Sequence, residues 1–373
     1  MNEYLRVALR LHEYTAAHHW NGKALIGPDP VGKIHWRVTR FVRSYLPWLP
    51  GEDRYLYIQG QGYWIRANIT LFELTGDQKY LELAENCADT LVEIQPENGA
   101  WTHPPIWGRQ GFISTVEGVW GSLGLTAAYK KTGKQAFLDS AMKWYEFQIN
   151  SIGFQTVADG LAANYYFRSS NTVPNVTTSL LVLLAELYEL NGDRKCLNYT
   201  ERMIRFIAYS QLESGELPYV FPARPHFMCY QYNSFQFLDL AYYFDLVRDA
   251  RLLPIMNKLA RYLSGGLTER GSCKYNCFNE YPEVNYWTAA LATALYKAYQ
   301  LGLGEYEDIS SKAYARVMSR QRPDGGFDFS DTNYKFLHDS CSYPRSLAMI
   351  LYHLSYREKG SMSDNKLSKQ STN

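Results

Sequence analysis

Acids, phenols, imidazoles and guanidinium groups gather in a few stretches of this 373-residue sequence, and two of the groupings have the composition of acid-base machinery. Glu280-x-x-Glu283 and Asp328-x-x-Asp331 are paired carboxylates at short spacing. Held together, one carboxyl kept protonated by burial or by its neighbour and one left ionised supply the acid and base of glycoside hydrolysis, at a separation of about 5 to 9.5 Å. Each acid taken singly also suits a turn or a helix cap. The run Phe227-Met228-Cys229-Tyr230-Gln231-Tyr232-Asn233, with Arg224 and His226 upstream, suits a different reaction. There an Arg neutralises the carboxylate of a uronic acid while Tyr230 or His226 takes up the proton from the adjacent carbon. A cluster of tyrosines packed between helices explains the same run without chemistry.

Around these groups the expected substrate contacts are Trp107 and Arg109, Tyr165, Tyr166 and Arg168, Arg224 and Tyr232, Tyr286, and His338. Aromatic faces supply stacking area, and the cations hold carboxylates. Cys273-x-x-x-Cys277, Cys229 and His338-x-x-Cys341 are the only thiol and imidazole groupings with a metal-like look, and they do not amount to a zinc ligand set, so no metal is expected. Neither a G-x-x-x-x-G-K loop nor a G-x-G-x-x-G turn after a strand is present, so no nucleotide cofactor is expected either.

The elements that position these residues repeat. Segments with apolar residues at helical spacing begin near Tyr63, Val119, Thr178, Phe235, Trp287 and Arg345, a period of roughly 52 to 59 residues that fits two helices and a loop. Inside a unit, the turns Leu74-Thr75-Gly76-Asp77, Lys131-Thr132-Gly133-Lys134 and Leu190-Asn191-Gly192-Asp193 place a glycine where one helix must end and an antiparallel partner begin. Thr177-Thr178-Ser179 offers cap hydroxyls to a helix whose leucines, Leu180 to Leu190, leave almost no polar side. Second helices end in Gln95-Pro96-Glu97-Asn98-Gly99-Ala100-Trp101, Gln211-Leu212-Glu213-Ser214-Gly215-Glu216-Leu217 and Gln321-Arg322-Pro323-Asp324-Gly325-Gly326-Phe327. This Q-x-x-x-G-x-aromatic turn resembles the repeat of squalene cyclases and protein prenyltransferase β-subunits. A similar turn occurs in pectate lyases and other (α/α) toroid enzymes acting on polysaccharides, including lyases, epimerases and six-hairpin glycosidases.

A helix over Asn2 to Trp20, five hairpins between about Tyr63 and Arg320, and a last helix over Tyr343 to Arg357 make twelve. The first and last lack neighbours in sequence and are expected to pair, closing an all-α (α/α)6 toroid; Leu347, Ile350, Leu351 and Leu354 are too apolar for the polar cap of an open solenoid. Residues 1–360 are expected as one domain with 21–62 as a loop extension, and 361–373 as a disordered polar tail. The long connections Gly99 to Glu117, Phe154 to Val176, Gly215 to Asn233, Thr268 to Tyr286 and Gly325 to Tyr343 should open on one end of the ring.

Lys plus Arg number 38 and Asp plus Glu 37, so the chain lacks the cationic field that nucleic acid requires. No apolar run approaches a membrane span, and the first residues do not read as a signal peptide, which makes the cytoplasm the expected compartment. The six cysteines read as reduced thiols, and the sequons at Asn68, Asn175 and Asn198 as unglycosylated. Residues 33–45 alternate Arg37, Arg40 and Arg43 with Trp36, Phe41 and Tyr45, a pattern for packing over the ring or for peripheral contact with an anionic surface. The leading functional expectation is a carbohydrate-active lyase, epimerase or hydrolase working on an oligosaccharide or a uronic-acid-containing polysaccharide. Two others stand beside it: a terpene cyclase of the squalene-cyclase-like type, for which the Asp-x-Asp-Asp acid motif is missing, and a non-catalytic protein that binds a glycan or peptide.

Overall fold

Apolar periodicity becomes helix along nearly the whole chain. The computed structural model describes residues 2–29, 42, 46, 54–104, 111–222, 229–333 and 337–370, with the backbone alone at 229, 332, 333, 337 and 361–370. Among the described residues there are twelve α-helices: α1 (Glu3–His19), α2 (Ile58–Thr75), α3 (Gln78–Glu93), α4 (Thr115–Thr132), α5 (Gln135–Phe147), α6 (Pro174–Asn191), α7 (Thr200–Ser210), α8 (Cys229–Val247), α9 (Leu252–Ser264), α10 (Asn285–Gln300), α11 (Glu307–Met318) and α12 (Pro344–Gln370). The even-numbered helices pack on one another in chain order, and α12 returns to α2, so they form a closed inner ring. Each odd-numbered helix from α3 to α11 lies outside the inner helix that precedes it, and α1 takes the corresponding place outside α12. The terminal helices pair as expected from the sequence, completing the sixth hairpin, while the packing of α12 on α2 closes the ring.

Burial follows this arrangement. Inner helices such as α6 are buried along almost their entire length, whereas outer helices bury one stripe. Gly76, Gly133 and Gly192 adopt left-handed backbone just past α2, α4 and α6 and return their N–H groups to Phe72, Tyr129 and Tyr188, ending each inner helix so that its partner can reverse.

The repeated glutamine turn stitches one unit to the next. Gln95 Nε2 donates to its own turn at Gly99 O (2.9 Å) and to Ser140 O of α5 (3.0 Å). Gln211 does the same to Gly215 O and to Ile255 O of α9, and Gln321 to Gly325 O and to Val7 O of α1. The glycine is required because the turn presses against the next outer helix: a Cβ on Gly99 would stand 2.5 Å from Lys143 O. The motif is thus a coupling between units, and its last copy docks on α1.

Three expectations are refined. Thr177, Thr178 and Ser179 do not cap α6, which starts at Pro174; they lie one turn inside it and are buried. The final helix continues to Gln370, through part of the segment expected to be a disordered tail. Five cysteines, Cys87, Cys196, Cys273, Cys277 and Cys341, are free thiols.

The long connections carry two small antiparallel ribbons, β1 (Phe154–Val157) with β2 (Gly160–Ala163) and β3 (Ser330–Asn333) with β4 (Leu337–Asp339). Neighbouring connections bridge to one another at Ser114 with Tyr166 and at Val284 with Ser330, and Phe221 N–H bonds Thr172 O. They therefore share the end of the ring where the inner helices begin. No helix among the described residues is long and apolar enough to cross a membrane.

Candidate active site

The N-terminal ends of the inner helices meet at one end of the ring, called the mouth, where side chains gather about Arg345, the second residue of α12. Its guanidinium meets Asp29 in a two-pronged ion pair, Nε to Oδ2 at 2.9 Å and Nη2 to Oδ1 at 3.2 Å, and Nη1 donates to Gln59 Oε1 at 3.1 Å. It also lies 4.9 Å from the centre of the Tyr57 ring. Asp29 arrives from the segment after α1, where Gln61 bonds both the N–H and the C=O of Leu25 and ties that segment to the start of α2.

Glu117, the third residue of α4, is buried beside this group, and its Oε2 accepts the N–H of Gln59 at 2.8 Å. Burial raises its carboxyl above the usual carboxylate range; the Gln59 N–H and the charge of Arg345 pull the other way without cancelling that, and the charge of Asp29 adds to the rise. Tyr286, second residue of α10, accepts from Gln231 Nε2 at 3.0 Å and is within electrostatic reach of Arg345 and Asp29. Burial also raises Tyr232, and Tyr219, Tyr165 and Tyr286 are its electrostatic neighbours. The mouth therefore combines a cation paired with Asp29, a buried Glu117 whose carboxyl is raised, and phenols at Tyr232 and Tyr286 that burial also raises.

Deeper on the axis, Tyr63 and Trp120 stack at 3.9 Å above a cavity of about 30 Å³ that Phe235, Asp239 and His353 also line. That is space for a water molecule or two, far below what a sugar ring or an isoprenoid chain needs. Asp239 accepts from Ser179 Oγ (2.7 Å) and Thr178 Oγ1 (3.0 Å), yet burial outweighs those bonds and pushes it up to about 7. Below it, Glu186 of α6 binds Arg66 of α2 at 3.3 Å and accepts hydroxyls from Thr126 and Tyr242, which closes the shaft with a buried ionic knot.

Asp239 makes a testable contribution to stability. Its native pKa is raised from an unfolded value near 3.8, so the stability that it adds in acid is lost as pH rises from about 4 to about 7. Asp239→Asn should remove that loss. Melting temperatures of variant and parent should agree near pH 4, with the variant the more stable by pH 7.5. The difference isolates this group because His12, His19 and His353, each lowered by burial, act in the opposite direction in both proteins. A constant difference across that range would refute the assignment.

The residues expected from the sequence divide into three sets. Tyr165, Tyr232 and Tyr286 belong to the mouth. Trp107, Arg109, Arg224 and His226, with all of the basic stretch 33–45 except Val42, lie outside the described residues. The others are placed elsewhere. Tyr230 stacks on Tyr262 of the outer helix α9 with ring centres 4.9 Å apart, so it fills the layer between helices. Glu283 and Asp331 do come together, but they share Arg316 of the outer helix α11 at 2.8 and 3.1 Å, and Asp331 also pairs with Arg320. Asp328 is held by Arg322 (2.9 Å) and His338 (2.6 Å), with Arg322 stacked over Tyr14 of the outer helix α1. Glu280 is exposed, as is Arg168, which lies over Phe167; Tyr166 packs between Phe112 and Tyr165. Glu283, Asp328 and Asp331 are held by nearby arginines instead of converging as an acid-base pair, and Glu280 stays at the surface.

Sequence reasoning missed Asp29, Gln59, Glu117 and, on the axis, Arg66, Glu186 and Asp239. The last two did leave a signal: each is a charge flanked on both sides by apolar residues, as in Leu183-Leu184-Ala185-Glu186-Leu187 and Phe237-Leu238-Asp239-Leu240. Among the described residues, no group of three His, Cys, Asp or Glu side chains is placed to hold a metal ion.

No family model matches the sequence, and no curated protein is similar to it. Solved structures are similar in shape. A cellobiose 2-epimerase from Bacillus thermoamylovorans superposes with a TM-score of 0.73 at 15% identity, over 96% of this chain and 100% of that one. A possible member of the GH105 family from Salmonella enterica gives 0.71 at 15% identity, over 97% and 95%. A polysaccharide lyase gives 0.66 at 10% identity, over 97% and 99%. At such identities the likeness shows the fold, the (α/α)6 toroid, over essentially the whole of each chain.

Proposed function

We propose that this protein is a carbohydrate-active enzyme whose active site is the mouth at the N-terminal ends of the inner helices. Its substrate is an oligosaccharide or uronic-acid-containing glycan, and its chemistry is of the lyase, epimerase or hydrolase type. The carrying observation is the Arg345 cluster, in which a buried Glu117 of raised pKa stands beside an Asp29 carboxylate that faces a guanidinium. A carboxyl raised by burial is suited to the acid role. Glu117 is the proton donor, and Arg345, held by Asp29 and Gln59, fixes negative charge on the substrate. Tyr57, Tyr165, Tyr232 and Tyr286 offer ring faces and hydroxyls to sugars. Arg224 and His226, just upstream of α8 in sequence, remain candidates for carboxylate binding and proton transfer. Toroid neighbours that include an epimerase, a GH105 family member and a polysaccharide lyase support the class of reaction.

The test is a panel of neutral and acidic oligosaccharides, cellobiose and unsaturated uronyl disaccharides among them. Thermal stabilisation reads binding by mass action. Turnover is read three ways: exchange of a sugar carbon-bound proton in D₂O, new reducing ends, or a new unsaturated product. We expect at least one sugar to raise the melting temperature and to turn over, with both effects weakened in Arg345→Met. A panel with no stabilisation and no turnover, or one whose response Arg345→Met leaves intact, would remove the mouth from consideration.

A further inference from the structure

A second cavity opens at the opposite end of the ring, where the short hairpin turns lie. Its volume is about 490 Å³, within the range of small-molecule sites, and it is walled by the last turns of α2, α4, α8 and α10 and the middle of α12. The charged groups in its wall are Arg66, Lys130, Lys131, Lys297 and Lys359 against Glu73, Glu186 and Asp245, five cations to three anions.

Lysines near helix C-termini commonly serve the helix ends, and that explanation has to be weighed first. Here one carbonyl in the last turn of each of α2, α4 and α6, at Phe72, Tyr129 and Tyr188, already receives the N–H of Gly76, Gly133 or Gly192. The lysines instead reach carboxylates around the cavity. Lys131 and Lys359 share the single acid Glu73, Lys297 holds Asp245 at 2.6 Å, and Lys130 holds the half-exposed Glu189 at 2.6 Å. The pairs of Lys130 with Glu189 and Lys359 with Glu73 are partly exposed and worth little, so a ligand anion competes with weak partners there. Arg66 is already committed to Glu186 and Tyr242, so a ligand would be met by ammonium groups, which act as point charges. That favours the tetrahedral oxygens of phosphate over the flat carboxylate that a free arginine fork selects. Gln300 and Tyr356, also in the wall, can bond the hydroxyls of a polar body attached to the phosphate.

We propose that this cavity binds a small phosphate-bearing anion, either free phosphate or the phosphate ester of a sugar, at a site separate from the mouth. The experiment is isothermal titration of the full chain with glucose 6-phosphate, inorganic phosphate and glucose at constant ionic strength, repeated with Lys131→Gln, Lys297→Gln and Glu117→Gln. At least one phosphate compound should bind and glucose should not. Each lysine variant should weaken that binding about tenfold, the loss of one charge-assisted bond, with an unchanged melting temperature, and Glu117→Gln should leave it unaltered. Tighter binding of the ester than of phosphate identifies a sugar phosphate as the occupant, and equal binding identifies the free ion. The proposal is overturned by an absence of phosphate binding, by lysine variants that bind as the parent does, or by a loss of binding in Glu117→Gln. None of these outcomes bears on whether the mouth is catalytic.

Discussion

Glu117→Gln should lower turnover of the glycan found by the panel by about 10² to 10⁴, the usual share of a positioned general acid, while changing the melting temperature little. The amide keeps the shape of the carboxyl and can still accept the Gln59 N–H at the head of α2, so the structural duty of residue 117 survives. What it cannot do is donate a proton that the reaction then takes back. Because burial raises this carboxyl, its acid form persists to higher pH than an ordinary glutamate allows, and the parent's kcat should decline as pH climbs through the raised value. In the variant that decline should vanish with the activity. A variant that turns over at the parental rate would leave Glu117 as a helix cap alone.

Glu186→Leu should cost about 3–5 kcal/mol of unfolding free energy, the penalty of leaving a buried charge without its partner. The side chain of Glu186 is 1% exposed and that of Arg66 12%, so water at the cavity edge replaces the lost carboxylate only in part. Thr126 and Tyr242 lose their acceptor as well. Burial alone would raise Glu186, but Arg66, Lys130 and the two hydroxyls outweigh it and hold its pKa below the usual range. Its stabilising effect is therefore present above the unfolded value and fades as pH falls through the native one, so the cost of the substitution should shrink in acid. The double variant Arg66→Met with Glu186→Leu should recover most of the loss, since a well-packed apolar pair substitutes for a buried ion pair at little expense. Urea denaturation of the four proteins gives the coupling energy. A single variant within about 1 kcal/mol of the parent would mean that Arg66 finds another partner.

The architecture was legible because its determinants are local and repeated. A helical period, a glycine after the first three inner hairpin helices and a glutamine in three of the returning turns point to six hairpins, and contacts such as Gln321 to Val7 show the same rule at work where the chain ends meet. The mouth was illegible for the opposite reason. Asp29, Gln59, Glu117 and Arg345 are as much as 316 positions apart and meet only because α12 comes back beside α2. Spacing drew attention instead to Glu280, Glu283, Asp328 and Asp331, acids close in sequence, and close arginines had already claimed three of them. The better signal was a charge stranded in an apolar helix, since desolvation is tolerated there only with a partner across the ring. The 30 Å³ shaft also leaves no room on the axis for the polyisoprenoid that the resemblance to squalene cyclases had brought into view.

The pairing of α1 with α12 places the break between the chain ends inside a hairpin. Until α12 docks, α1 lacks its partner and the flanks of α2 and α10 that α12 covers border a gap. A circular permutant that joins the two terminal helices and is reopened at Gly133 would carry the same packing with its gap moved.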